Sequence, residues 1–360
     1  MFRHKMVFLS MTNRCESHCL HCFTNSKLNQ SDSLALEDLK KILEELPKSV
    51  KFIDASFSGD IFLLRDYVNI LKIISTYRKK FSKNFKVFLD CNGWFSGKTT
   101  KIISEIKNYV DFLVYSLDGA TAQTHDFQRQ FKGSFDAVIK SVIESKKNDI
   151  ETYTSFTVTR INLHEISKFI DLNRKLRVSK CFIRFCANVG RARKNKLPIN
   201  TKDFFQVFDD IIESLNEENR RKITIILTIP SFYVPDILRI LSIKKISFSK
   251  EDWFSKNYKS GRLILSTDWC NAYKDKFVVD HKGNVFGCCL MVGFPNLSVG
   301  NIKKQHLSKI LESRKVKDFI ELAKKKPKVC FGCEKYAVCK GCCPLNFFSF
   351  DISKRCPFSK

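Results

Sequence analysis

Three cysteines near the start of the chain, Cys15, Cys19 and Cys22, stand at the spacing C-x3-C-x2-C directly after a short apolar run. A structural zinc site draws four ligands from paired Cys and His units. Three thiolates on one loop suit a different task. Each can hold one iron of a cubane [4Fe–4S] cluster, leaving the fourth iron open to a ligand that is not protein. Buried structural thiols have no reason to repeat at ligand spacing, so these three read as metal ligands.

A second block lies at the other end. Cys270 is followed by Gly283 and Cys288, then by Cys330, Cys333, Cys339 and Cys343 at C-x2-C-x5-C-x3-C, and finally by Cys356. On residue type alone this block admits zinc as well as iron. Fifteen cysteines in a chain without a signal sequence read as metal ligands rather than disulfides.

The first loop, flanked by Met11-Thr12-Asn13-Arg14 and by His21 and Phe23, resembles the radical S-adenosylmethionine (SAM) superfamily, and in particular its peptide-maturase branch. The resemblance implies that the open iron chelates the amino and carboxylate groups of SAM. One electron then cleaves the sulfonium, and the 5′-deoxyadenosyl radical released takes a hydrogen from the substrate. The protein's share of that work is position and electrostatics. The C-terminal block resembles the SPASM domain of radical SAM maturases, which binds auxiliary iron–sulfur clusters. By matching positions, one auxiliary cluster takes Cys330, Cys333, Cys339 and Cys356, and the other takes Cys270, Cys288 and Cys343. Relatives with full ligation add a cysteine shortly after the first; 271–277 has none. Iron at both ends is therefore the expectation.

The elements that must position these residues alternate. Strand-like runs are Met6–Met11, Lys51–Ser56, Lys86–Leu89, Phe112–Leu117, Tyr153–Val158 and Cys181–Phe185. Between them, helical periodicity covers Leu34–Leu46, with Ser33 or Asp32 as cap, and Tyr67–Phe81, Thr99–Asn108, Ser134–Lys147 and Leu163–Leu176. Such repeats read as an α/β barrel or a doubly wound sheet. The resemblance chooses a partial (β/α)6 radical SAM barrel with a small cysteine-rich C-terminal α+β SPASM domain. Three regions are expected: 1–200 for the barrel, 201–266 as linker or insert, and 267–360 for the auxiliary clusters. In the middle region, Asp203–Leu215 reads as a helix and Ile223–Ile229 as a strand. Beyond it, Phe277–Asp280 and Gly283–Phe286 form a hairpin, and Leu307–Lys315 a helix.

Loops after the strands carry the remaining motifs. Ser58-Gly59-Asp60 stands where the family has Gly-Gly-Glu, the segment that binds the SAM amino group; Asp keeps an anionic acceptor one methylene shorter. Cys91-Asn92-Gly93 resembles the family's Thr-Asn-Gly. Ser116-Leu117-Asp118-Gly119, His125-Asp126, Arg129 and Gly133-Ser134-Phe135-Asp136 resemble the maturase pattern. There Ser116 bonds SAM, and Arg129 is the candidate for its carboxylate because guanidinium matches carboxylate in a bidentate pair. Asp118 has an alternative role in holding its turn, and Ser134 one as a helix cap. Val189-Gly190-Arg191-Ala192 resembles the segment whose backbone approaches adenine. His21, Ser58, Gly59, Asp60, Asn92, Ser116, Asp118, Arg129, Val189 and Gly190 form the expected cofactor-binding set.

Five cysteines remain, Cys91, Cys181, Cys186, Cys289 and Cys342, most of them small buried hydrophobes in this reading. Cys289 is the candidate hydrogen-atom donor. Sulfatase-maturing relatives carry an Asp at its position, which argues against formylglycine formation here.

The net charge of +26 suggests an acidic partner, although evenly spread lysines in a chain rich in Lys, Ile, Asn and Phe read first as coding bias. The lysines are spread along the chain and no basic-aromatic module is visible, so nucleic acid is not expected. No apolar run is long enough for a membrane span and the N-terminus does not read as a signal peptide, which gives a cytoplasmic expectation. The expected partners are a peptide or protein substrate with an acidic leader and a one-electron donor such as flavodoxin or ferredoxin. The expected activity is radical peptide modification by cross-linking, epimerisation or oxidation. The alternatives are radical chemistry on a small molecule such as a sugar, or a non-catalytic iron–sulfur scaffold or electron carrier.

Overall fold

Apolar runs become strands and the amphipathic stretches between them become helices. The computed structural model describes residues 4–80, 84–216, 223–229, 233–243, 256–258, 261–267, 270, 272–326, 330–334 and 336. The chain divides into two units: Met1–Thr154 with Ala187–Leu197 and Asn271–Ile320, and Ser155–Cys186 with Pro198–Cys270 and Glu321–Lys360.

In the first unit the order is β1 (Met6–Leu9), α1 (Leu36–Glu45), β2 (Phe52–Asp54), α2 (Tyr67–Lys80), β3 (Lys86–Cys91), α3 (Thr99–Ile106), β4 (Phe112–Ser116), α4 (Ala122–Arg129) and α5 (Ser134–Lys147). β1 to β4 pair in parallel, with Met6 opposite Phe52, Phe52 opposite Lys86, and Cys91 opposite Tyr115. Parallel pairing demands crossover helices, and their apolar stripes cover the sheet. Leu39, Ile42 and Leu43 of α1, Ile70, Leu71 and Ile74 of α2, and Ile102, Ile103 and Ile106 of α3 are buried at helical spacing.

β5 (Glu151–Val158) leads into the second unit, which holds α6 (Ile166–Lys175), β6 (Lys180–Phe185), α8 (Thr201–Asn216), β7 (Thr224–Ile229), α9 (Val234–Ile243), β8 (Lys256–Tyr258) and β9 (Gly261–Thr267). The short α7 (Gly190–Lys194) belongs to the first unit. β6, β7 and β9 are parallel, and β8 runs antiparallel to β9. α9 and β8 fall within 232–260, where the sequence offers no usable motif, and β9 follows that stretch. Here Arg174 of α6 donates to the Ser214 carbonyl of α8, tying two helices of this unit.

The C-terminal hairpin, β10 (Lys276–Val279) and β11 (Asn284–Phe286), forms as expected and is extended by β12 (Gly300–Asn301). Its partner was not foreseen: β10 runs parallel to β1, with Met6 opposite Lys276. The Ser10 N–H, at the root of the cysteine loop, donates to the Val279 carbonyl at 2.9 Å. Segments far apart in sequence thus build one edge of the site.

Three expectations need correction. α1 starts after Ala35 without a side-chain cap. Thr12 bonds the Asp32 carbonyl and bridges Ser33, so those residues brace the cysteine loop instead. α5 is capped not by Ser134 but by Asp126 of α4, whose carboxylate accepts from the N–H groups of Gly133 (2.6 Å) and Phe135 (2.8 Å) and from the Ser134 hydroxyl (2.8 Å). A carboxylate satisfies first-turn donors and favours the positive helix end. The helix expected over Leu307–Lys315 is broken into α10 (Leu307–Leu311) and α11 (Arg314–Lys324), because Ser313 accepts from the Val316 N–H and starts a new helix.

Candidate active site on the cysteine loop

The loop after β1 is closed at its neck by backbone bonds. Cys15 N–H donates to Lys27 O and Lys27 N–H to Asn13 O, each at 3.3 Å, and Asp60 N–H donates to Arg14 O at 2.6 Å. Inside this neck Cys19 is buried and Cys15 and Cys22 are half-buried; all three are free thiols. Burial, then the neighbouring Cys19 and Asp60, push the Cys15 thiol up to about 12. Burial raises the Cys19 thiol as well, so at Cys15 and Cys19 a bound cation that takes up the charge favours the thiolate.

The loops after β2 and β3 are joined. Asp60 Oδ2 accepts from Asn92 Nδ2 at 3.0 Å, and its Oδ1 caps the next turn through Phe62 N–H at 3.0 Å. Burial is the main cause of an Asp60 carboxyl raised to about 6, against the pull of those two donors. Gly59 has φ +69°, and a Cβ there would run into the Thr12 and Arg14 carbonyl oxygens. Ser58 spends its hydroxyl on Ser10.

After β4, whose last residue Ser116 is half-buried, comes the densest cluster of charge. Asp118 is fully buried, and its Oδ2 lies 2.7 Å from Arg129 Nε and 3.5 Å from His21 Nε2. Arg129 Nη1 donates to Cys19 Sγ at 3.4 Å. Burial works against the Arg129 charge, yet Asp118 and then Cys19 hold its pKa above the ordinary value. Burial pushes His21 down to about 4, so its ring is neutral beside Asp118. The buried Nδ1 of His21 has no hydrogen-bond partner among the described residues. His125 Nδ1 accepts the Asp118 backbone N–H at 3.0 Å and fixes the turn.

Val189 is buried, and Gly190 (φ +56°) packs so tightly on the Cys22 and Phe23 backbone that a Cβ would collide with it. Two residues here were missed as functional. Arg191 donates from Nε to Cys19 O at 2.7 Å and from Nη1 to Ser26 O at 3.0 Å, and Asn195 Nδ2 donates to Leu20 O at 2.9 Å. Both clasp the cysteine loop. The signal for Arg191 was its place after the Val189-Gly190 motif; Asn195 left none.

The structure therefore brings His21, Ser58, Gly59, Asp60, Asn92, Asp118, Arg129, Val189 and Gly190 into one hydrogen-bonded and packed surround of Cys15, Cys19 and Cys22. Among the described residues no three His, Cys, Asp or Glu side chains converge on a single ion. A cubane places each thiolate on a different iron, so its ligands stand wider apart than those of one ion. The donor set, the Arg129 contact on Cys19 and the orphaned His21 nitrogen fit a cluster with a polar ligand beside it.

The C-terminal cysteines are only partly in view. Cys288 lies two residues past β11 and is half-buried, and burial raises the Cys289 thiol well above its ordinary value, as do Cys288, Asp54 and Asp90 against Lys276. In the second unit Cys270 is half-buried, and Cys333 N–H turns back to Cys330 O at 3.2 Å. Cys339, Cys343 and Cys356 lie outside the described residues. Of the spare cysteines, Cys91 and Cys181 are buried, as small apolar fillers are, whereas Cys186 and Cys289 are half-buried and Cys342 lies outside the described residues.

Residues 9–172 match the Radical SAM superfamily and residues 270–343 match SPASM, an iron–sulfur cluster-binding domain. The chain is a radical SAM protein that carries a SPASM domain. It is 25% identical over 344 residues to the AdoMet-dependent heme synthase of Methanosarcina barkeri, covering 94% of this chain and 90% of that protein. It is 24% identical to AlbA, the subtilosin biosynthesis protein of Bacillus subtilis, over 60% of this chain and 47% of that one. Among solved structures, SuiB of Streptococcus suis bound to S-adenosylmethionine superposes with a TM-score of 0.71 at 14% identity, covering 96% of this chain and 74% of SuiB. The sulfatase-maturing-type enzyme anSMEcpe with bound AdoMet gives 0.68 at 18% identity, covering 96% and 91%. These likenesses are to a mixed α/β radical SAM fold. No helix among the described residues is long and apolar enough to cross a membrane.

Proposed function

We propose that this enzyme holds a [4Fe–4S] cluster on Cys15, Cys19 and Cys22 and uses SAM to remove a hydrogen atom from a peptide or protein substrate. The observation that carries this reading is the cysteine loop itself, locked at the strand ends with Arg129 on Cys19 and Asp118 on Arg129. Cluster and SAM, when bound, supply the electron and the 5′-deoxyadenosyl group that takes the hydrogen. The protein's residues do the rest. Asp60 offers an anionic acceptor to the SAM amino group, while Asn92 orients that carboxylate. Asp118 and Arg129 fix the loop from within. His21 presents its open nitrogen to the bound ligand, and the Val189-Gly190 backbone lies against Cys22. Ser116 stands at the strand end where the SAM ribose or methionine part is held. In the SPASM region, Cys270, Cys288, Cys330, Cys333, Cys339, Cys343 and Cys356 hold auxiliary clusters, and Cys289 is the candidate hydrogen donor.

Support for a peptide substrate comes from the names of AlbA and of the mycofactocin maturase MftC, which is 26% identical over 45% of this chain. A second reading has its own observation: the heme synthase likeness extends over nearly the whole chain, which the peptide maturases do not match in sequence. An iron tetrapyrrole is the substrate class it implies. The test is deuterium transfer. The anaerobically reconstituted enzyme is given SAM, dithionite and either a deuterated short peptide encoded beside it or a deuterated iron coproporphyrin. Deuterium in 5′-deoxyadenosine with the peptide supports the first reading. Transfer only from the tetrapyrrole replaces it with the second, and transfer from neither refutes both substrate classes.

A further inference from the structure

The cysteine loop has two faces. Cys19 is buried, whereas the residue before it, His18, is exposed. On the exposed side, His18, Leu20, Lys27, Arg191, Lys194 and Asn195 line a pocket of about 460 Å³. Its charge is one-sided. Residues 187–200 contain Arg191, Arg193, Lys194 and Lys196 and no Asp or Glu, and residues 17–30 contain Lys27 and no acid. Neither Lys27 nor Lys194 forms an ion pair with a described residue. The nearest acid in the loop, Glu16, acts on Asp60 instead.

The pocket wall is bonded directly to the thiol-bearing backbone. Arg191 and Asn195 donate to the carbonyls of Cys19 and Leu20 at 2.7 and 2.9 Å, and Arg191 N–H donates to Cys22 O at 2.9 Å. Whatever sits in the pocket is therefore one peptide layer from two of the three proposed ligands. Electron transfer weakens steeply with distance, and a cationic concavity steers anionic partners.

We infer that the Lys27–Arg191–Lys194 pocket is the docking surface for an acidic one-electron carrier protein that reduces the cluster on Cys15, Cys19 and Cys22. This rests on the radical SAM reading above and adds the partner's place. The step moves one electron from the carrier's reduced group, hydroquinone to semiquinone for a flavodoxin, into the oxidised cluster; no protein bond is made or broken.

The test compares wild type with the double variant Lys27→Glu, Lys194→Glu, both reconstituted. Cluster reduction is followed at low salt with flavodoxin hydroquinone, an acidic protein, and with dithionite, a small reductant that needs no dock. The expected result is a loss of about tenfold or more in the flavodoxin rate, with the dithionite rate changed less than about twofold. Wild type should also lose its flavodoxin rate as salt rises, and the variant should not. An unchanged flavodoxin rate overturns the docking site. So does a parallel loss with both reductants, which would mark the lysines as part of the cluster's own support. A wild type that makes no 5′-deoxyadenosine with dithionite overturns the radical SAM reading itself, and the dock with it.

Discussion

Arg129 Nε lies 2.7 Å from Asp118 Oδ2 while its Nη1 reaches the sulfur of Cys19, so a fully buried carboxylate holds a largely buried guanidinium against a proposed iron ligand. Buried pairs of this kind contribute little net stability when intact but are costly to break from one side. Asp118→Ala leaves the Arg129 charge uncompensated. It should destabilise the apo-protein by about 3–5 kcal/mol, read as a shift in the urea unfolding midpoint. A change under about 1 kcal/mol would mean that the guanidinium finds another partner.

Gly190 tests the fit between α7 and the cysteine loop. Its φ of +56° alone costs an L side chain about 1–2 kcal/mol, and the added Cβ meets the Cys22 and Phe23 backbone. Gly190→Ala should therefore displace the loop and lower iron content per chain after reconstitution. Gly97→Ala is the control: it also has positive φ, at +79°, but a Cβ there meets nothing. Equal iron in both variants would show that the contact does not matter.

Asp60 sets a pH dependence. Its folded-state pKa is raised, to about 6 from 3.8, chiefly by burial. The folded apo-protein therefore holds this proton more tightly than the unfolded chain, and stability falls as pH rises between those values, by up to about 3 kcal/mol. SAM binding should run the other way. An ammonium group favours the ionised carboxylate, so affinity should rise through about pH 6, measured by calorimetry on the reconstituted protein. Asp60→Asn should flatten both slopes. A SAM affinity that rises equally in the variant would remove Asp60 from the amino-group site.

Arg191→Ala removes two charged hydrogen bonds to loop carbonyls, each worth about 1.5–3 kcal/mol. Amide exchange over residues 19–27 should quicken relative to the core strands. Unchanged protection there would show that Asn195 and the loop neck suffice.

What was legible in the sequence was local. Cys15, Cys19 and Cys22 announce themselves by spacing, and the strand–helix alternation from β1 to β6 follows from apolar periodicity. The order of Ser58-Gly59-Asp60, Asn92, Asp118 and Gly190 along strand ends was readable through its resemblance to the radical SAM maturase motifs. What stayed hidden depends on long-range contact. α4 is a polar helix whose buried face is His125 and Gln128, so hydrophobic patterning passes over it, although Thr121 capping Thr124 N–H was a usable sign. Yet α4 carries Arg129 and the Asp126 cap of α5. That Arg129 would rest on Cys19, that Asn92 would hold Asp60, and that β10 would pair with β1 are tertiary facts with no local trace. Asp32 and Ser33 were misread as caps because a polar residue before a helix looks the same whether it caps or braces a neighbouring loop.

The cysteine loop is proposed to hold the centre that cleaves SAM. The most direct test is 5′-deoxyadenosine formed by the anaerobically reconstituted chain with SAM and dithionite, in wild type and in the variant with Cys15, Cys19 and Cys22 all changed to Ala. Wild type should form 5′-deoxyadenosine steadily, and the variant none above background. The same yield from both, or none from a wild type shown to carry its iron, would contradict that role of the loop.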